Sequence, residues 1–212
     1  MKQDNSQNKD KKMQKVILLH GLGRSKNSLR ILAWRLERAG FDPILIDYPS
    51  TDATIDELVD LITPMIPDGN DKLDFVGHSL GGILAKRLAK RLPESRRGRI
   101  VQLGAPNFGS EIAERANTFG EPLGPALAEL EPNEGDDDSG LDIGAIAGTA
   151  ALPAYGLITG IHGENDGKVS VDSAWGHAPI KKRVAFHVTH SLMTFEKRVI
   201  KATIDFLKNG EF

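Results

Sequence analysis

Gly77-His78-Ser79-Leu80-Gly81-Gly82 reads Gly-x-Ser-x-Gly and stands between two runs of different character. Leu73-Asp74-Phe75-Val76 before it has the composition of a strand. Ile83 to Leu92 after it carries apolar residues at 83, 84, 88 and 92, the spacing of one helix face. A serine hydroxyl is a weak nucleophile. It becomes useful when a sharp strand-to-helix turn exposes it beside a base. Gly77 and Gly81 leave room for the close backbone approach such a turn needs. The helix N-terminus behind it favours developing negative charge. This strand–turn–helix setting separates the motif from a chance glycine-rich turn.

Working outward, the same alternation continues. Lys15-Val16-Ile17-Leu18-Leu19 is an apolar run that ends at His20-Gly21, as a buried parallel strand would. Ser28 to Gly40 has Leu29, Leu32, Ala33 and Leu36 at helical spacing. Pro43-Ile44-Leu45-Ile46-Asp47 is a second strand, and Ile55, Leu58, Val59 and Ile62 line a second helix. Arg99-Ile100-Val101-Gln102-Leu103 gives a fourth strand after the one at Leu73. Residues 155–161 and 182–188 supply the fifth and sixth, and Thr194 to Leu207 is a closing helix. The predicted class is α/β: about six mainly parallel strands with helices on both faces, a three-layer sandwich.

One domain over 15–212 suits a chain of 212 residues, after a polar, disordered arm at 1–14. Residues 106–154 read as a cleft-shaping excursion or partial lid, rich in Gly, Pro and Ala. Its acidic run, Glu131 to Gly140, lacks the ligand spacing of a calcium loop and is expected to be solvated. A net charge of −2 gives no electrostatic case for nucleic acid. The absence of cysteine excludes disulfides, a thiol nucleophile and thiolate metal sites. Met1 to Lys15 has no apolar segment of the kind a signal peptide needs, so a cytoplasmic location is expected unless an export signal was trimmed. No apolar run is long enough to span a bilayer. The basic clusters Lys86-Arg87, Lys90-Arg91 and Arg96 to Arg99 fit a solvated helix face, with weak peripheral membrane contact as the alternative. Nothing in the sequence sets an oligomeric state.

Parallel sheets bind ligands at the carboxyl ends of their strands. His20, Ser79, Ala105, Asp166 and His190 all fall just after predicted strands, which points to one site. The proton of Ser79 needs a base, and the base needs an acid to orient it. His190, in Val188-Thr189-His190-Ser191, is the expected base. Asp166, in Gly163-Glu164-Asn165-Asp166-Gly167, is the expected acid, because Asn-Asp-Gly forms a turn that can aim a short carboxylate inward. Asp172 and Glu164 are the alternatives for that role. His78 is expected to pack beside the nucleophile, His187 to be structural, and His162 and His177 to be solvated. His187 and His190 form no His-Glu-x-x-His metal pattern, so no metal is expected. The oxyanion donors are expected to be the backbone N–H groups of Leu80 and of Leu22, the latter on the His20-Gly21-Leu22-Gly23-Arg24 loop beside the substrate.

Together these residues resemble the α/β-hydrolase superfamily. More narrowly, the chain resembles small bacterial serine esterases and lipases, and the hydrolase core of the inositol-deacylating GPI-remodelling proteins. The resemblance runs from Val16 to Leu207 and is carried by Val16 to Arg24, Asp74 to Gly82, Leu103 to Ser110, Asn165 to Val169 and Thr189 to Met193. It implies hydrolysis of a small-molecule or lipid carboxylic ester through an acyl-serine, with no metal or organic cofactor. It also implies that Gly104 to Ser110, with Pro106 and Asn107, lines the substrate cleft alongside His20, Gly21 and His78. The chain departs from secreted lipases in lacking a clear large lid. It departs from larger relatives in having no room before Val16 for two leading antiparallel strands. The rival expectations are an acyltransferase or thioesterase with the same three residues, a lipid-remodelling deacylase, and a non-catalytic binding module.

Overall fold

The computed structural model describes residues 12–110, 112–113, 124–130, 137–151, 160–179 and 182–212. Six strands form one sheet: β1 Gln14–Leu19, β2 Phe41–Ile46, β3 Leu73–His78, β4 Arg97–Leu103, β5 Asp142–Gly148 and β6 Arg183–Phe186. Their order is β2-β1-β3-β4-β5-β6, and every neighbouring pair is parallel. The helices are α1 Arg30–Arg38, α2 Ile55–Ile62, α3 Leu80–Arg91, α4 Pro125–Ala128, α5 Val171–Trp175 and α6 Lys197–Asn209. No helix among the described residues is long and apolar enough to cross a membrane.

The period of a strand explains the three layers. Side chains alternate between faces, so a strand covered on both sides must be apolar throughout. In β1, Ile17 and Leu19 pack into the core under α2 and α3, with Phe75, Leu84 and Leu88. Val16 and Leu18 pack into the opposite core under α1 and α6, with Leu32, Leu36, Val199 and Phe206. α2 begins cleanly because Thr54 and Glu57 form a reciprocal capping box.

The fifth strand is not where the sequence pattern put it. Residues 155–159 lie outside the described residues, Gly160 and Ile161 are not in a strand, and β5 is Asp142–Gly148. Its sequence, Asp-Ile-Gly-Ala-Ile-Ala-Gly, has glycine or alanine at four of its seven positions, a composition depleted in strands. The small residues have a packing reason. A Cβ on Gly144 would sit 2.7 Å from the Phe206 ring, and one on Gly148 2.5 Å from the Val188 carbonyl oxygen. β5 thus falls inside the 106–154 span read as an excursion. Of that span, 111, 114–123, 131–136 and 152–154 lie outside the described residues, as do 1–11 of the N-terminal arm.

The chain runs outward from β1 to β2, then returns to place β3 on the other side of β1. That reversal opens a crevice beyond the carboxyl ends of β1 and β3, where open parallel sheets bind ligands. Asp74 lies at the opposite end of β3. It is 5 % exposed, and its Oδ1 accepts the Arg99 N–H at 2.7 Å. Burial, above all, pushes its carboxyl up from 3.8 to about 6. The folded value lies above the unfolded one, so this site favours the native state fully below pH 4 and loses that contribution as pH rises through about 6. Asp74→Asn keeps the acceptor for Arg99 N–H and removes the charge. It should stabilise the protein at pH 8, by about 3 kcal/mol at most, and change little at pH 4. Thermal melts of the two proteins at both pH values check this. Equal effects at the two pH values would contradict it.

Candidate active site

Ser79 sits between β3 and α3 with φ 54° and ψ −125°, and it is the non-glycine residue with positive φ among those described. Such a backbone costs energy and persists only where the surroundings enforce it. Here they do. A Cβ on Gly77 would lie 2.2 Å from the Gly81 carbonyl oxygen, and one on Gly81 2.3 Å from that of Leu19. The turn is therefore pressed against itself and against the end of β1. Ser79 N–H is tied to the Leu103 carbonyl at 2.9 Å, and Gly82 N–H to the Ser79 carbonyl at 2.8 Å. The result leaves Ser79 partly open while Gly77, His78, Leu80 and Gly81 are buried.

Asp166 and His190 come together in the interior. His190 Nδ1 and Asp166 Oδ2 are 2.7 Å apart, with the residues only 4 % and 2 % exposed. The other carboxylate oxygen, Oδ1, accepts the N–H groups of Lys168 and Val169, both at 2.9 Å. His190 N–H also donates to the Asp166 carbonyl at 2.9 Å. The Asn165 side chain accepts Gly167 N–H at 3.0 Å, closing the turn expected of Asn-Asp-Gly. With Oδ1 occupied by two donors and Oδ2 facing Nδ1, the proton of neutral His190 belongs on Nδ1. Nε2 is then left unprotonated, free to accept a hydrogen bond. Asp172 and Glu164 are solvent-exposed instead.

Ser79 and His190 line one cavity of about 230 Å³, with Gly21, Leu22, His78, Leu80 and Pro106. Among the described residues Ser79 Oγ has no hydrogen-bond partner; catalytic hydrogen bonds often tighten only once substrate is bound. Leu80 opens α3, so its N–H has no acceptor within the helix. Leu22 N–H has no partner among the described residues either. Both expected oxyanion donors thus belong to residues that wall the cavity.

Two of the expected cleft residues are elsewhere. Asn107 is 7 % exposed, and its amide is consumed by Gln102 and by the Ala174 carbonyl, at 2.9 and 3.0 Å. It borders a separate cavity of about 960 Å³ that contains neither Ser79 nor His190. His20 is fully buried behind the loop. Its ring stacks on Tyr48 at 4.0 Å, and its Nδ1–H donates to the Gly21 carbonyl at 3.0 Å. Tyr48 also donates its hydroxyl to the His20 carbonyl. Ser50 Oγ accepts Gly23 N–H at 3.0 Å. Tyr48 and Ser50 therefore fasten the loop that carries Leu22, a role with no local sequence signal. The parallel register that pairs Leu19 with Ile46 brings them alongside.

His78 packs its ring 4.7 Å from that of His190 and donates Nε2–H to the His190 carbonyl at 2.9 Å. Burial first, then the His190 ring and the cations Arg24 and Lys168, hold it well below the ordinary imidazole range. It stays neutral, and its buried Nδ1 has no partner. Gly104 supports the pair from behind. It has φ 59°, and a Cβ there would come within 2.9 Å of Met193 Sδ, 3.0 Å of Asp166 Oδ2 and 3.1 Å of His190 Nδ1. Gly104→Ala should displace the Asp–His pair and lower kcat/KM for any reaction of Ser79 by about 10²-fold. It should also destabilise the fold by about 1–2 kcal/mol through backbone strain. Kinetics beside a thermal melt checks both effects.

A family model described as "Alpha/beta hydrolase family" matches residues 16–189. No curated protein sequence matches the chain. Among solved structures, the lipase BlEst2 of Bacillus licheniformis in its mature form is similar, with a TM-score of 0.68 and 18% identity over 99% of this chain and 96% of that one. Its propeptide form gives a TM-score of 0.67 and 19% identity over 91% of this chain, which spans only 50% of that longer one. A monoacylglycerol lipase of Paleococcus ferrophilus gives 0.60 and 16% identity, over 93% of this chain and 95% of that one. At these identities the likeness is one of fold.

Proposed function

The chain belongs to the alpha/beta hydrolase family, and from that premise we propose that it hydrolyses carboxylic esters through an acyl-enzyme on Ser79. The observation that carries this reading is the strained, partly open Ser79 in one cavity with a buried His190–Asp166 pair. The lipase structures that share the fold lend it support.

In the proposed reaction the ester carbonyl enters above Ser79. His190 Nε2 removes the proton of Oγ as Oγ bonds to the carbonyl carbon. The carbonyl electrons move to oxygen, where the Leu22 and Leu80 N–H groups stabilise the charge. Asp166 holds the imidazolium that forms and keeps it from turning. The tetrahedral centre collapses, and the carbon–oxygen bond to the alcohol breaks. His190 gives its proton to the departing alkoxide. A water molecule then loses its proton to His190 and attacks the acyl carbon, releasing the acid and restoring Ser79. His78 stays out of the proton traffic, because neutrality and its bond to the His190 carbonyl leave it a positioning role.

The test is hydrolysis of p-nitrophenyl esters from acetate to palmitate. The reading expects turnover with a defined chain-length optimum, set by the apolar wall of Leu80, Pro106, Ile112, Leu127 and Leu130. Folded protein inert toward every ester would overturn it.

A further inference from the structure

Arg24 and Lys168 both line the cavity that holds Ser79, and no acidic residue is among its described walls. Neither side chain forms an ion pair or hydrogen bond among the described residues. Both are fixed at the backbone by the site itself. Arg24 N–H closes the loop onto the Gly21 carbonyl at 3.2 Å. Lys168 N–H donates to Asp166 Oδ1 at 2.9 Å. Lys168 also borders a smaller cavity, of about 170 Å³, that His190 lines together with Asp166, Thr189 and Ser191. It therefore stands beside His190.

Much of the remaining wall is apolar, through Leu80, Pro106, Ile112, Leu127, Leu130 and Val169, with Ser110 and His78 as further polar members. The cavity thus combines apolar walls with two cations, one of them beside His190. The chemistry orients a substrate within it. His190 must protonate the departing alkoxide, so the alcohol portion of an ester lies on the His190 side. We propose that the substrate is an ester of an apolar acyl group with an alcohol that carries an anionic group, phosphate or carboxylate, received by Arg24 and Lys168. This rests on the ester-hydrolase reading above and narrows it to a substrate class. A guanidinium can grip such an anion with two parallel N–H bonds, while an ammonium acts as a mobile point charge. The field of both cations reaches the centre of the site, since after burial and His190 they help keep His78 neutral.

The decisive comparison uses a matched pair, 1-butyrylglycerol 3-phosphate and 1-butyrylglycerol, with O-butyryl glycolate as a carboxylate arm. Partly exposed pairs contribute factors of about two to five each. The wild-type protein should therefore favour the phosphate ester over its neutral partner by about tenfold in kcat/KM at low ionic strength. The ratio should fall towards one in 0.5 M salt, where screening reaches only about 4 Å. Arg24→Gln with Lys168→Gln should bring the ratio to about one at low ionic strength, whatever its rate on 1-butyrylglycerol. A preference for phosphate alone assigns a phosphate ester; an equal preference for glycolate assigns anionic alcohols in general. A wild-type ratio near one, or a ratio that the double variant keeps, would overturn the proposal. Failure to cleave either glycerol ester together with inertness to the p-nitrophenyl series would instead overturn the ester-hydrolase reading, so the two failures are separable.

Discussion

Ser79→Ala should lower ester turnover by about 10⁴–10⁶-fold and leave the fold intact. The side chain lost is a hydroxyl with no hydrogen-bond partner among the described residues, on a partly open residue, so its removal leaves none of their buried groups unsatisfied. The strain at φ 54° stays, because alanine pays the same backbone cost as serine. Stability should therefore move by less than about 1 kcal/mol. Only Oγ disappears. Whatever rate survives reflects the Leu22 and Leu80 N–H groups and substrate binding, which do not depend on Oγ. Adding His190→Ala should cost little more, since a nucleophile and its base act as a unit. A melting curve together with esterase kinetics checks the pair of claims. Full activity in pure Ser79→Ala would remove Ser79 from the chemistry.

Asp166→Asn is the second large effect, about 10⁴-fold in kcat, and its reason lies in the hydrogen-bond pattern. Oδ1 accepts two backbone N–H groups, from Lys168 and Val169, so an asparagine must keep its oxygen there. Its NH₂ then faces His190 Nδ1, which stands 2.7 Å from Oδ2 in the native pair. Nδ1 must become an acceptor, and the proton of neutral His190 moves to Nε2. That is the wrong tautomer, because Nε2 can no longer take the Ser79 proton. Unlike Asp166→Ala, the substitution keeps the volume and both backbone bonds, so melting should change little. The expected signature is a folded protein with a normal cavity and almost no turnover. Turnover within tenfold of wild type would show that His190 does not depend on Asp166 for its tautomer.

Much of this architecture is legible in the chain because parallel strands write themselves as apolar runs. Val16 to Leu19 and Leu73 to Val76 are buried on both faces, and their composition shows it. Ser79, Asp166 and His190 could be proposed together because each sits on a loop at the carboxyl edge of the sheet. The turn chemistry of Asn165-Asp166-Gly167 carried the choice over Asp172 and Glu164, and the structure joins Asp166, not those two, to His190. β5 escaped because close packing against Phe206 and Val188 demands glycine and alanine, residues that read as loop. The support of the Leu22 loop by Tyr48 and Ser50 escaped for a different reason. Those contacts cross from β1 to β2 and depend on register, which no local pattern reports. The resemblance puts Asn107 in the cleft along with the rest of Gly104 to Ser110, and Pro106 and Ser110 of that segment do line the cavity while Asn107 does not. Its amide is in fact spent on Gln102 and the Ala174 carbonyl, deep in the fold.

If Ser79 is a nucleophile activated by His190, it is a target for a serine-directed electrophile. A fluorophosphonate reacts with a serine hydroxyl that a neighbouring base has activated, and leaves ordinary serines untouched. The measurement is the intact mass of the protein after exposure to such a probe, followed by peptide mapping. One adduct per chain is expected, located on Ser79, absent from Ser79→Ala and nearly absent from His190→Ala. Folded wild-type protein that stays unlabelled, or that carries its adduct on another residue, would contradict it.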